Sequence, residues 1–349
     1  MTMLSTPAQG QGRSLRPIPW SKLAWVSWRQ YRVGLTGALG FLGLLAVYLL
    51  VMGLRFHSAY ASVTSCHPAS SPACSDVADL FSNQYFITAE VSAALLNAVP
   101  VLVGVFAGAP ILARELDSGT FRFAWTQGAG RIRWTVARLA LPALTLTLAA
   151  AAFSQLFDWY YWPFFASGMD SRFAGQFFNL TGVAFAAWTL AAFAIGALAG
   201  ALVRRPVAAT AAAMAAWAAL MLVTYSFLRR HYLAPLLNKG AGAPSRGSNP
   251  SWVLSQWWTG PNGKPVPFGT LMGLIRSAPK GPRKQIGPNS FQTVIDPFRW
   301  LAQHGYTEWT SYQPASRYWP FQFIEGGWLL VLSLLLIAAT IWLVRRRAA

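Results

Sequence analysis

The chain has 349 residues, of which 54% are hydrophobic and only 11% charged, with a formal net charge of +18. That composition excludes an ordinary soluble domain, in which about a quarter of the residues are charged. The basic residues are spread along the chain instead of forming one basic domain, which argues against nucleic acid as a partner and for a topological origin of the charge.

A helix of about 20 apolar residues, rising about 1.5 Å per residue, crosses the roughly 30 Å hydrocarbon core of a bilayer. Six windows meet that requirement: Gly34 to Leu54, Val91 to Ala113, Leu139 to Phe157, Leu180 to Val203, Val207 to Leu228, and Gly326 to Val344. None contains a charged residue, as expected when one ionised side chain at mid-membrane costs about 2.5 to 3.5 kcal/mol on insertion scales. The expected fold is therefore all-α: a polytopic membrane protein with six transmembrane helices.

Residues 1–33 read as a cytoplasmic tail ending in an amphipathic interfacial helix. In PWSKLAWVSWRQYRVG, Trp20, Trp25 and Trp28 suit the headgroup region, while Arg29 and Arg32 with Lys22 meet anionic lipid. An ordinary juxtamembrane anchor accounts for the same residues. The first apolar run follows 33 residues of chain, is longer than a signal-peptide core, and lacks a small-residue cleavage pattern, so it reads as a retained anchor. The glycines Gly34, Gly37, Gly40 and Gly43 in the first span, and Gly196 and Gly200 in GALAG, read first as helix-packing faces and second as a dimer seam.

In the short connections Lys and Arg fall on one side of this layout, with only Arg55 and Arg172 on the other. They precede the first span, join spans two and three (Arg114, Arg122, Arg131, Arg133, Arg138), join spans four and five (Arg204, Arg205) and follow the sixth (Arg345 to Arg347). By the positive-inside rule both termini are cytoplasmic; the long segment 229–323, with eleven Lys and Arg against two Asp and Glu, is of a length that largely escapes the rule. Cys66 and Cys74, in CHPASSPAC, then lie in the first outer loop. An oxidising exterior allows a disulfide there, stabilising by roughly 2 to 3 kcal/mol, with two unrelated thiols as the alternative.

Domain by domain, residues 34–228 hold spans one to five with a cytoplasmic coupling helix at about 114–130. Residues 229–323 form a large outer loop before the last span, and residues 324–349 the sixth span and a basic tail. The outer segment carries twelve prolines and six tryptophans. Its short apolar pieces, SWVLSQWW and FGTLMGLI, are expected in the outer interface. Glu90, Asp158 and Glu325 sit at expected outer ends and read as hydrated interfacial carboxylates in preference to proton-coupling groups.

Catalytic motifs are missing. There is no GxxxxGK[ST], HExxH or GxSxG, and the four histidines are dispersed, so the chain is expected to bind no metal and to be no enzyme. One charged, glycine-punctuated stretch stands out: ARELDSGTFRFAWTQGAGRIRWTVARL at 113–139. Gly119 interrupts the charged run, Thr120 suits a helix N-cap, and Phe121, Arg122 and Trp125 form an aromatic, charged face before Gly128 and Gly130. Such a face suits a docking partner; a solvated, topology-setting loop is the plain alternative.

The layout resembles the permease subunits of type-2 ATP-binding cassette exporters, with alanine-rich, arginine-over-lysine usage of actinobacterial character. In that family a glutamate followed four residues later by Gly-Thr marks the exit from span two, and Glu115, Gly119 and Thr120 match it. The family's proline at the end of the short helix is replaced here by Gln127 and Gly128. The resemblance implies a permease in a bacterial cell membrane that exports a hydrophobic or amphipathic substrate. It implies a separate cytoplasmic ATPase subunit holding ATP and Mg, with this chain binding no cofactor itself, and a homodimer or a heterodimer with a second permease among membrane lipids. Glu115, Gly119, Thr120, Phe121, Arg122 and Trp125 become the ATPase-coupling residues. The alternatives are a non-transporting sensor or immunity component and, further off, an outer-face enzyme acting on lipid or polymer around Asp296 and Glu308.

Overall fold

The computed structural model describes residues 20–68, 71–118, 131–240, 251–279, 283–287, 290–293 and 297–347. Among these described residues six helices are long and apolar enough to cross a membrane: Arg32–Ser65, Pro72–Asp117, Ile132–Ala166, Ala184–Val203, Pro206–His231 and Ala315–Arg346. We number these the first to sixth spans. Because six is even, the first span begins and the sixth ends at one end of the bundle, the terminal end. The segment between spans five and six emerges at the other, the sheet end.

Helix α1 runs unbroken from Trp20 to Ser65. The amphipathic stretch and the first span are thus one helix, and no boundary at residue 33 separates an in-plane element. No proline occurs between Trp20 and Ser65 to force a break. At the other end α1 outlasts its apolar window by eleven residues, to Ser65, because its polar turns stay packed. Phe56 is fully buried among Tyr85, Tyr160 and Phe164, and the His57 ring lies between Trp159 and Trp162.

The second span is long and interrupted. Ser71 caps α2 (Pro72–Leu96), its hydroxyl accepting from the Cys74 amide at 3.2 Å, and Pro72 takes the first turn where no amide donor is needed. Residues 72–90, outside the apolar window, are therefore helical, and Cys66 and Cys74 form a disulfide across the tight connection. Asn97 ends α2 and its amide donates to the carbonyls of Ala93 and Gln176. There follow α3 (Val99–Val103), a π-turn at Gly104–Gly108, and α4 (Ala109–Ser118). Pro100 lacks the amide that would continue α2.

The third span is α5 (Arg131–Ala166). A connection with the short α6 (Gly175–Phe178) leads to the fourth span, α7 (Ala184–Val203), and α8 (Pro206–Val223) begins the fifth. Spans two and four pack through backbone. A β-carbon on Gly104 would stand 2.7 Å from the Ala192 carbonyl oxygen and one on Gly108 2.6 Å from that of Phe193; one on Gly196 or Gly200 would collide with the backbone of Gly104 or Ala109. The GALAG face is thus used inside the chain. By contrast Gly34, Gly37, Gly40 and Gly43 face open space, and the first two line an apolar groove of about 400 Å³ with Leu102 and Phe106.

Beyond the fifth span the chain builds a four-stranded antiparallel sheet from β1 (Leu236–Lys239), β2 (Trp252–Thr259), β3 (Pro265–Val266) and β6 (Thr307–Gln313), in the order β1-β6-β2-β3. A separate hairpin pairs β4 (Arg283–Gly287) with β5 (Ser290–Thr293). SWVLSQWW is therefore a strand, β2. It alternates as strands do, with Trp258 buried against Leu271 and Leu301, and Trp257 exposed beside Trp309. FGTLMGLI is the body of α9 (Phe268–Ser277), and with α10 (Pro297–Gln303) it covers the face of the sheet that carries Trp258. The sixth span is α11 (Tyr318–Arg347).

Candidate functional site

At the terminal end, Glu115 lies in the last turns of α4 and forms an ion pair of 2.6 Å with Arg138 of α5, the two side chains being 17% and 7% exposed. The Arg138 guanidinium also stands 5.1 Å over the Trp134 ring. Glu115 is thus directed at the third span and closes the base of the segment that joins spans two and three. Gly119, Thr120, Phe121, Arg122 and Trp125 lie outside the described residues. Of the first-helix residues, Trp20 contributes to the helix backbone, Trp25 and Trp28 are exposed, Arg29 sits 5.4 Å over the Trp25 ring, and Arg32 is exposed.

At the sheet end the structure places a site that the sequence reading missed. Arg229 and Glu325 are 1% and 0% exposed. Arg229 grips the carboxylate with two donors, Nε to Oε2 at 2.9 Å and Nη2 to Oε1 at 2.7 Å. Trp188 Nε1 donates to Oε1 at 2.9 Å and the Tyr232 hydroxyl to Oε2 at 3.1 Å. Nη2 also donates to Asn179, and the guanidinium lies 4.2 Å over the Phe178 ring. Both carboxylate oxygens are therefore satisfied twice, which a buried charge requires. Burial, then the Glu325 charge, pushes the Tyr232 phenol up, so it remains a donor.

The same face of α11 continues the network. The Tyr318 hydroxyl donates to Thr181 at 2.7 Å, Gln322 Nε2 donates to the Phe178 carbonyl, and Gln322 Oε1 accepts from the Ala184 amide. Gly182, at φ +64, has no room for a side chain between Gln322 and Tyr318. Tyr318, Gln322 and Glu325 recur at i, i+4 and i+7, the spacing of one helix face. That polar stripe at the head of an apolar run is the signal that was available in the sequence.

Glu325 is therefore not a hydrated interfacial carboxylate, because its four hydrogen bonds replace water inside the bundle. Asp158 pairs with Arg172 at 3.3 Å. Glu90 accepts from Gln176 and, at 3.2 Å, from the Tyr161 hydroxyl, which also reaches Asp170 at 2.7 Å. One hydroxyl proton serves two carboxylates here. Burial raises the Asp170 carboxyl to about 6, the Tyr161 hydrogen bond opposing and the Glu90 charge reinforcing that rise. Among the described residues no group of three or more His, Cys, Asp or Glu is placed to hold a metal ion.

Comparison with known families bears on this geometry. A family described as ABC-2 membrane transporter related matches residues 39–229, more than half of the chain. The chain belongs to this family. The matched region runs from the first span to Arg229, and so includes Glu115, Arg138, the glycine contacts of spans two and four, and one half of the buried ion pair. No curated protein and no solved structure matches the chain. Membership makes it a multi-pass membrane component of the ABC-2 transporter class, a permease type that works with an ATPase subunit.

Proposed function

We propose that the chain is the permease half of a bacterial ABC exporter, with both termini in the cytoplasm, moving a hydrophobic or amphipathic substrate outward. A separate ATPase subunit holds ATP and Mg and acts on the segment between spans two and three. Two permeases, identical or sister chains, form the pathway. Closure of the ATPase pair moves the docked segments, which shifts the bundle between two states.

The observation that carries this reading is the Glu115–Arg138 ion pair. A force applied to residues 119–130 reaches the membrane through α4 and α5, and the ion pair ties those two helices together where the segment begins and ends. Gly119 to Trp125 remain the proposed contact surface, while Glu115 acts through Arg138 as a positioning residue. In the contact of spans two and four, movement of one helix displaces the other, because at Gly104, Gly108, Gly196 and Gly200 the two backbones meet with no room for a side chain.

The test is purification of the native chain from mild-detergent membranes of its host, with identification of co-purifying subunits and assay of ATP hydrolysis. A co-purifying P-loop ATPase whose turnover drops with Trp125→Ala or Gly119→Pro supports the reading. An intact permease without any ATPase, under conditions that preserve other ABC complexes, overturns it.

A further inference from the structure

We propose that a pocket between the connection of spans three and four and the head of the sixth span binds the phosphate of a phospholipid, with the acyl chains lying along the exposed face of α11. The pocket has a volume of about 190 Å³ and is lined by Ser171, Arg172, Phe173, Ser316, Tyr318 and Trp319 among others. Its position is at the membrane boundary. Ser171 follows the last residue of the third span by five positions, and Ser316 and Trp319 lie in the first turns of the sixth. Trp319 is 49% exposed, as an indole at the headgroup level is expected to be.

The cation is held ready. Arg172 lies 5.1 Å over the Phe165 ring and 5.8 Å over the Tyr318 ring, which fixes its guanidinium. Tyr318 is itself anchored by its hydroxyl to Thr181. The side chain of Arg172 keeps 27% exposure, and Asp158 engages it only through Nη2, at 3.3 Å. A close charge-assisted pair stands at about 2.7 to 2.9 Å. Nε and Nη1 make no hydrogen bond to the described residues. A planar guanidinium with donors that the described residues leave unused, in a pocket shared with the exposed Ser316, suits a phosphate group.

The apolar half of the ligand has a path. Trp319 and Phe323 stack at 5.8 Å and form a ledge under the pocket. Phe323, Leu330 and Leu334 continue down the same side of α11, at 63%, 47% and 56% exposure, and Gly327 leaves a dent between them with nothing within 4 Å of its absent side chain. Phosphate above and hydrocarbon below distinguish a lipid from free inorganic phosphate.

The experiment is native mass spectrometry of the full chain in detergent after incubation with phosphatidylglycerol, with diacylglycerol, or with phosphatidylglycerol plus inorganic phosphate. The variants are Arg172→Gln, Ser316→Glu and, as a control, the exposed Arg230→Gln. The expected result is one retained phosphatidylglycerol, about tenfold weaker in Arg172→Gln and Ser316→Glu and unchanged in Arg230→Gln, with no retained diacylglycerol. Ser316→Glu introduces a carboxylate at an exposed position, so it decides the matter if Arg172→Gln fails to fold. Equal retention in all variants, or equal retention of diacylglycerol, overturns the phosphate site. Displacement by an equal concentration of inorganic phosphate overturns the lipid half.

Discussion

Arg229 and Glu325, 96 positions apart, meet side by side in a bidentate ion pair with essentially no solvent exposure. The pair joins the end of the fifth span to the head of the sixth, and Asn179 and Trp188 bind the fourth span and its lead-in to the same point. The sheet hangs between spans five and six, so this junction also fixes the base from which β1 starts and to which β6 returns.

Removing one partner should therefore cost much more than removing both. Glu325→Leu leaves a buried guanidinium uncompensated, and the expected loss is about 3 to 5 kcal/mol. The double change Arg229→Met with Glu325→Leu should recover a large part of it, since two apolar side chains then meet. Thermal and denaturant unfolding of the purified chain in detergent measures both, and a double variant as unstable as the single one contradicts this account.

Glycines of the fourth and first spans give predictions of opposite kinds. Gly196→Ala drives a methyl into the backbone of Gly104 and Ala109 and should destabilise by about 1 to 3 kcal/mol, as overpacking does. Gly37→Ala in the first span meets nothing within 4 Å and should be neutral or stabilise by about 0.4 to 1 kcal/mol through the unfolded chain. Folded yield and Tm in detergent distinguish the two. Equal effects at both positions would show that the contact between spans two and four is not close.

The six spans were legible because hydrocarbon length and the absence of charge are one-dimensional properties of the chain. Their ends were not. Residues 55–65 and 72–90 are helical because Phe56, Tyr85 and Phe164 pack together, and such contacts between distant turns leave no local period in the sequence. RELDSGT singles out Glu115 as a charged residue at the exit of the second span, but nothing local in the sequence points to its ion-pair partner, because Arg138 reads equally well as one of the basic residues that set topology. Glu325 was misread because a carboxylate at a helix end is ordinarily hydrated; only the approach of Arg229, Trp188 and Tyr232 makes it a buried group. The strand β2 was obscured by tryptophans that suit an interface equally well.

Asp170 makes stability depend on pH. Burial raises its carboxyl to about 6 from the ordinary 3.8, so the folded chain binds a proton more tightly than the unfolded chain does. Stability from this group is present in full below about pH 4 and falls as pH rises from there to about 6. The groups that face it are Glu90 of α2 and Tyr161 of α5. Asp170→Asn should flatten that part of the profile, so the wild-type Tm should drop more between pH 4.5 and 7 than that of the variant. Parallel profiles would mean that Asp170 is hydrated and ordinary.

The ion pair at the terminal end separates two roles for Glu115. If Glu115 positions the segment through Arg138, then Glu115→Ala and Arg138→Ala should have the same effect, about 2 kcal/mol of stability for a largely buried pair, between the exposed and fully buried limits. Both should also lower ATPase stimulation by the permease. The exchange Glu115→Arg with Arg138→Glu restores the pair with its sign reversed, and under the positioning role it should recover both stability and coupling. If instead the carboxylate itself contacts the ATPase, the exchange should recover stability but leave coupling lost, because an arginine then faces the partner. Measuring unfolding and ATP hydrolysis on the same preparations of the complex distinguishes the two outcomes, since the second readout moves independently of the first only when Glu115 touches the partner.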